Sequence, residues 1–192
     1  MIRAIIFDFF GVLATDGISG YCHRFFHGDK AKLKQVDDRI EELNRGRLSY
    51  PDFITKLAGL ARISEEEVRS YLDANHPNHP LIEYIGKELK PHYKLGIISN
   101  AGADWVEEII GRRAASMFDD IVLSHAVGIA KPEPAIYQIS LDNLGVSASQ
   151  AVFVDDVERY CEGARSVGME AIRYRGFSRM KTELESIIAG RI

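Results

Sequence analysis

Five short apolar runs punctuate the chain, at residues 2–7, 93–99, 121–124, 151–154 and 171–174, and longer amphipathic stretches separate them. Runs of this length, rich in Ile and Val and lacking polar alternation, are the pattern of strands buried on both faces. Strands that alternate with helical stretches predict a parallel sheet with helices packed on each side, a doubly wound α/β core. In such sheets ligands collect beyond the carboxyl ends of the strands, where loops and helix amino termini converge. Asp8, Ser99 and Asp155 each stand at a predicted strand end.

The alternation breaks once. From about residue 15 to residue 80 the pattern is helical throughout, with segments predicted at 29–44, 50–60 and 64–74. Ser64 followed by Glu67 has capping-box spacing, and Ser49 with Pro51 marks another helix start. A structureless loop of such length is uncommon in a compact domain, so the block is expected to be a small helical cap docked over the strand ends. The predicted organisation is a Rossmann-like α/β core of residues 1–14 and 81–192 carrying a helical cap of residues 15–80.

A length of 192 residues suits one well-buried core with a small appended domain, and 46% hydrophobic with 27% charged residues is an ordinary globular balance. The net charge of −4 supplies no overall positive field to gather phosphate backbones, so nucleic acid is not an expected partner. The first apolar run is too short to span a bilayer and is cut by Asp8, so no membrane role and no export are expected. Cys22 and Cys161 lack zinc or CxxC spacing and predict two free thiols, which fits a cytoplasmic protein. Assembly state is not legible.

Four segments carry candidate chemistry. In Phe7-Asp8-Phe9-Phe10-Gly11, an Asp closing a buried strand is a nucleophile, a metal ligand or a turn former. In Ile98-Ser99-Asn100-Ala101, a hydroxyl and an amide precede a helix predicted to open near Ala103, where they would meet phosphate oxygens or simply cap the helix. In Ala130-Lys131-Pro132-Glu133-Pro134, a lysine stands on a proline-stiffened approach to a helix from about Ala135, either to neutralise an anion or to sit in water. In Val152-Phe153-Val154-Asp155-Asp156, adjacent carboxylates at a buried strand end repel each other unless a cation stands beside them, and magnesium is the natural one. The alternative there is a solvated acidic helix start.

Taken in order, an Asp, a hydroxyl, a lysine and an acidic pair fall at or just after predicted strands. In this the chain resembles the haloacid dehalogenase-like hydrolase superfamily, in the subgroup with a small helical cap. The resemblance covers nearly the whole chain and includes Lys131-Pro132-x-Pro134-x-x-Tyr137, Asn44-x-Gly46-x-x-Ser49 and the insertion after the first motif. It implies that Asp8 attacks the substrate to form a covalent intermediate. Ser99 and Lys131, with Asn100 beside them, would hold the phosphoryl oxygens, and Lys131 would also orient Asp8. It implies a magnesium ion held by Asp8, the backbone carbonyl of Phe10, and Asp156 with help from Asp155. The expected function is a Mg2+-dependent phosphatase acting on a small phosphorylated metabolite through an aspartyl-phosphate.

Two positions depart from the family pattern. Phosphatases of the superfamily usually carry a second Asp two residues after the nucleophile, where this chain has Phe10, which cannot exchange protons. General acid–base help is worth roughly 10²–10⁴ in rate, so its loss favours leaving groups that depart unaided, such as acyl, aryl or sugar 1-phosphates. Asp16 and His23 are candidate substitutes, although Asp16 beside Gly17 also reads as a turn. Tyr160 stands where the family often has Asp or Asn, which weakens the support expected around the metal.

Metal-independent 2-haloacid dehalogenases of the same superfamily also lack the second Asp, commonly with an aromatic residue there, so Phe10 suits them. Their last motif usually has Ser or Asn where this chain has Asp155 and Asp156, and two extra negative charges oppose a carboxylate substrate. A non-catalytic phosphate-binding or regulatory module is the reading from another class. His76-x-x-His79 in a proline-flanked stretch reads as a hinge rather than a metal pair. Arg173, Arg175, Arg179 and Lys181 read as a solvated face. Trp105, Phe25 and Phe26 read as packing, with Phe25 and Phe26 available to the inner wall of the cap.

Overall fold

The computed structural model describes residues 1–190. Arg191 and Ile192, the end of the predicted core segment, lie outside the described residues. Strand β1 (Ala4–Phe7) leads into four helices, α1 (Gly17–Phe26), α2 (Lys30–Asn44), α3 (Tyr50–Ala61) and α4 (Glu65–Leu72). Then follow α5 (His79–Tyr84) with a π-helical turn (Ile85–Leu89), β2 (Lys94–Ser99), α6 (Val106–Ile110), α7 (Arg112–Ala115) and β3 (Asp120–Leu123). The chain closes with α8 (Ser124–Val127), α9 (Pro134–Leu144), a 3₁₀ turn (Ala148–Gln150), β4 (Ala151–Asp155), α10 (Glu158–Ser166), β5 (Glu170–Arg173) and α11 (Phe177–Ile188).

All five predicted strands form, each within a residue or two of its predicted bounds, in one parallel sheet of order β3-β2-β1-β4-β5. Side-chain alternation explains the unbroken apolar runs. Ile5, Phe7, Val152 and Val154 face one layer with Leu81, Met180 and Leu184, whereas Ala4, Ile6, Ala151 and Phe153 face the other with Ile136, Leu141 and Ala164. Both faces are covered by helices, so every strand residue of β1 and β4 is buried. Chain connections diverge to opposite sides at β1 and β4, which opens a crevice at their carboxyl ends.

Helices α1–α4 enclose an apolar cluster of their own that includes Tyr21, Phe26, Ile54, Leu57 and Val68. The helix starts read at Ser49 and Ser64 are in place, their side chains accepting from the backbone N–H groups of Asp52 and Glu67, and Asp29, read as the first residue of a helix, caps α2 by accepting from Lys32 N. Asp16 is not merely a turn residue. It caps α1 by accepting from Ile18 N, and the spacing Ile18, Tyr21, Cys22, Phe25 was the helical signal for that element.

The block leaves and rejoins the sheet at one place. Asn78 N donates to Leu13 O (2.8 Å), Thr15 N to His76 O (2.9 Å) and His76 N to Thr15 Oγ1 (2.8 Å), so the two crossing segments are tied side by side. His76 and His79 lie at this crossing, where Pro77 between them bridges to Ala14. Both cysteines are free, and no helix among the described residues is long and apolar enough to cross a membrane.

Leu57 is fully buried in the helical block. Leu57→Ala should lower stability by about 2–5 kcal/mol, measured by denaturant unfolding, with lost amide protection concentrated in α1–α4 and β1 and β4 still protected.

Candidate active site

Strand pairing brings the first two carboxylates together. Phe7 pairs with Val154, and Asp8 N donates to Val154 O at 2.8 Å, so Asp8 leaves β1 beside the place where Asp155 ends β4. Asp156 follows at once, and Gly11 closes the turn after β1 against it. At φ +89°, Gly11 lies where an added Cβ would stand 2.7 Å from the Asp156 carboxyl carbon, so only glycine leaves that carboxylate in place. One oxygen from each of Asp8, Asp155 and Asp156 falls within 4.8 Å of the others.

Lys131 enters from the far side of the sheet and is 2% exposed. Its Nζ donates to Asp8 Oδ1 at 2.5 Å and to Asp155 Oδ2 at 2.7 Å. The rings of Tyr160 and Phe153 lie 5.0 Å and 5.3 Å from the same nitrogen. Asn100 holds the backbone of this lysine at both ends: its Oδ1 accepts from Lys131 N (2.8 Å) and its Nδ2 donates to Lys131 O (3.0 Å).

Burial pushes the Asp8 carboxyl well above its ordinary range; contact with Lys131 pulls against this, and Asp155 and Asp156 add to the rise. Burial also penalises the Lys131 charge, but Asp155 and Asp8 outweigh it and raise the lysine further, so it is an ammonium throughout the neutral range. Asp156 is pushed up to about 6 by burial and then by Asp155. Three carboxyl groups thus crowd one ammonium in a low-dielectric site, and Asp8, raised to about 8, carries its negative charge at neutral pH only with a further cation beside it.

Of the residues singled out in the sequence, Asp8, Lys131, Asp155 and Asp156 come together directly. The solvated alternatives for Lys131 and Asp155 do not hold, because both are buried. Asp155 stands with the acidic group, yet both its oxygens have protein donors: Oδ2 meets Lys131, and Oδ1 accepts from Val157 N at 2.8 Å. Among the described residues no side chain donates to Asp8 Oδ2 or to the Asp156 carboxylate, since Arg173 Nε donates to the Asp156 backbone carbonyl (3.2 Å). Those are oxygens suited to magnesium, which takes few carboxylates and retains water.

Ser99 and Asn100 are not helix caps. The helix expected near Ala103 starts at Val106, whose N–H is capped by Asp104. Ser99 Oγ, at the end of β2, is buried without a hydrogen-bond partner among the described residues, and Ser99 does not line the cavity described below. Asn100, expected to bind substrate, lines that cavity with both ends of its amide engaged with Lys131, and its Nδ2 also reaches Tyr160 Oη at 3.3 Å. Tyr160 thus contacts both the lysine and the amide that holds it. No hydrogen bond reaches the Phe10 carbonyl among the described residues.

A cavity of about 240 Å³ opens over this group, between the sheet edge and α1–α4. Asp16 lines it while its oxygens cap α1, accepting from Ile18 N and Ser19 Oγ; His23 does not line it and packs against His27 instead. Trp105, read from sequence as packing, lines the cavity, as do Tyr50, Phe53 and Leu43, which the sequence did not single out as site residues. Phe25 and Phe26 stay within the helical cluster. An ion pair between Arg45 and Glu133 (3.0 Å) ties the end of α2 to the approach to α9.

Residues 5–174 match the family model described as haloacid dehalogenase-like hydrolase. The chain is 24% identical over 217 residues to bifunctional epoxide hydrolase 2 of Rattus norvegicus, with 97% of this chain but only 39% of that protein covered. It therefore spans about two fifths of that relative. It is 25% identical to a D-ribitol-5-phosphate phosphatase of Bacteroides thetaiotaomicron, covering 98% of this chain and 99% of that one. A HAD family enzyme from Bacteroides thetaiotaomicron, solved with magnesium and inorganic phosphate, shares the fold with a TM-score of 0.71, 20% identity and coverage of 94% and 99%.

Lys131→Met should destabilise the protein by about 3–5 kcal/mol at pH 7, because it strands buried carboxylates. Asp8, already raised by burial, would then hold its proton in the folded state over a wider range. Because Lys131 lowers both Asp8 and Asp156 in the native protein, the folded variant binds more protons than the folded native protein above the unfolded carboxylate pKa of about 4, so its deficit shrinks as pH falls from 7 to 4. Unfolding midpoints across that range check the trend.

Proposed function

The chain belongs to the haloacid dehalogenase-like hydrolase family, and from this we propose that it is a magnesium-dependent phosphatase that hydrolyses a small phosphorylated metabolite through an aspartyl-phosphate on Asp8. The observation that carries this reading is the set of three carboxylate oxygens within 4.8 Å facing the single Lys131 ammonium. That excess of negative charge calls for a divalent cation and opposes the carboxylate substrate of a dehalogenase. The phosphatase and magnesium–phosphate relatives support the same reading.

Asp8, Asp156 and the free carbonyl of Phe10 would hold the ion, with Asp155 fixing Lys131 beside them. Bound magnesium supplies Lewis-acid charge that offsets the carboxylates and the phosphoryl group. Asp8 forms a bond to phosphorus as the bond to the leaving oxygen breaks. Lys131, held by Asn100 and Asp155, keeps Asp8 aimed and stabilises charge on the phosphoryl oxygens, and the unpartnered Ser99 hydroxyl has a hydrogen bond to give them. Water then hydrolyses the acyl phosphate. Phe10 gives the departing oxygen no proton, so leaving groups stable as anions turn over fastest. The helical block of residues 15–80 acts as the cap, excluding water and selecting the organic part of the substrate.

Acetyl phosphate and p-nitrophenyl phosphate should be hydrolysed with magnesium, lose turnover with EDTA, and fall at least about 10³-fold in Asp8→Asn. Chloride release from 2-chloropropionate that survives EDTA would sink the proposal in favour of a dehalogenase. Because Asp8 is raised to about 8 and Asp156 to about 6, protons compete with the metal at both ligands. Titration calorimetry should show magnesium affinity weakening as pH falls below about 8, by up to about tenfold per pH unit per displaced proton, more steeply below about 6, and levelling off only above about 8.

A further inference from the structure

Away from the carboxylates, the cavity is walled by carbon. Phe10 lies edge-on to Trp105 at 6.0 Å, and Trp105 edge-on to Tyr50 at 4.9 Å. Tyr50 neighbours Phe53 at 6.4 Å, and Leu43 and Ile109 complete the wall. Phe10 and Trp105 come from loops at the sheet edge, whereas Tyr50, Phe53 and Leu43 come from α2 and α3, so the wall spans both parts of the molecule. The approach is close: a Cβ on Gly102 would stand 2.3 Å from Leu43 Cδ1.

The polar groups around this wall are mostly engaged. Asn75 is bonded to Gly17 N and Leu72 O, Asn100 to Lys131, and the Tyr50 hydroxyl to Asp73. Asn44 is the lining amide without a partner among the described residues. Lys131 is the single cation among the described lining residues, and Asp8 and Asp155 already hold it. Asp16, Asp73 and Glu108 add carboxylates to the rest of the lining.

We infer that the Phe10–Trp105–Tyr50–Phe53 wall is a subsite for an apolar, ring-sized organic group without negative charge, which makes the substrate an aryl- or arylalkyl-bearing phosphate rather than a polyol or acidic one. The inference rests on the phosphatase reading and narrows its substrate class. An apolar group leaves water for this wall at a gain proportional to its buried area. A polyol would lose hydration against the aromatic wall, with Asn44 and Glu108 among the lining side chains left without a hydrogen-bond partner in the described residues, and a carboxylate would meet like charge with no cation to receive it. At about 240 Å³ the space is below the roughly 300–1,000 Å³ that hold drug-sized ligands, so it takes a phosphoryl group and about one ring.

Stable phosphonates test this without depending on turnover. With magnesium present, titration calorimetry on the full chain compares methylphosphonate, 2-phenylethylphosphonate, 2,3-dihydroxypropylphosphonate and 2-carboxyethylphosphonate. The phenylethyl compound should bind at least about tenfold more tightly than the methyl compound, and the dihydroxypropyl and carboxyethyl compounds no more tightly than it. Trp105→Ala should bring the phenylethyl-to-methyl ratio to within about threefold of unity, and Trp105→Phe should restore most of it. Equal binding of all four, or preference for the carboxyethyl or dihydroxypropyl compound, overturns the subsite while leaving the phosphatase reading standing. Failure of all four and of inorganic phosphate to bind overturns both.

Discussion

One buried ammonium joins stretches of chain that are far apart in sequence. Lys131 meets the end of β1 through Asp8 and the end of β4 through Asp155, and Asn100 at the end of β2 holds its backbone. Each carboxylate would be costly in this setting without the lysine, and the lysine would be costly without them. The three strand ends are therefore held in one arrangement by mutual neutralisation. The same arrangement leaves the Asp156 carboxylate and one oxygen of Asp8 without side-chain donors, which is where the remaining negative charge gathers.

That charge imbalance and the apolar wall divide the cavity into two environments. At the sheet edge, carboxylates and an ammonium suit a charged phosphoryl group with a divalent cation. A few ångströms away, Phe10, Trp105 and Tyr50 offer packing and little hydrogen bonding. Phe10 belongs to both: its backbone stands beside the reacting carboxylate, and its ring replaces a proton donor with apolar surface. In the proposed phosphatase, loss of acid catalysis and gain of an apolar subsite are consequences of one side chain.

Much of the fold was legible because burial leaves a local trace. Apolar runs that stop at Asp8, Ser99 and Asp155 marked the strand ends, and Ser caps marked α3 and α4. Where local signals were mixed, the reading slipped. The segment after Asn100 has little apolar periodicity, and Asp104 delays the helix to Val106. Asp16-Gly17 looked like a turn, although the apolar spacing that follows it is helical.

The sequence by itself determined which elements form, their order, and the chemical types placed at the sheet edge, since periodicity and strand-end residues are properties of neighbouring positions. Tertiary structure alone decided what each polar atom meets. It joined Asn100 to the backbone of Lys131, engaged both oxygens of Asp155, and set Tyr160 against the lysine. It also brought Trp105, from a loop at the sheet edge, against Tyr50 of α3. Such partnerships depend on the direction of side chains across long loops, and no local pattern records that direction.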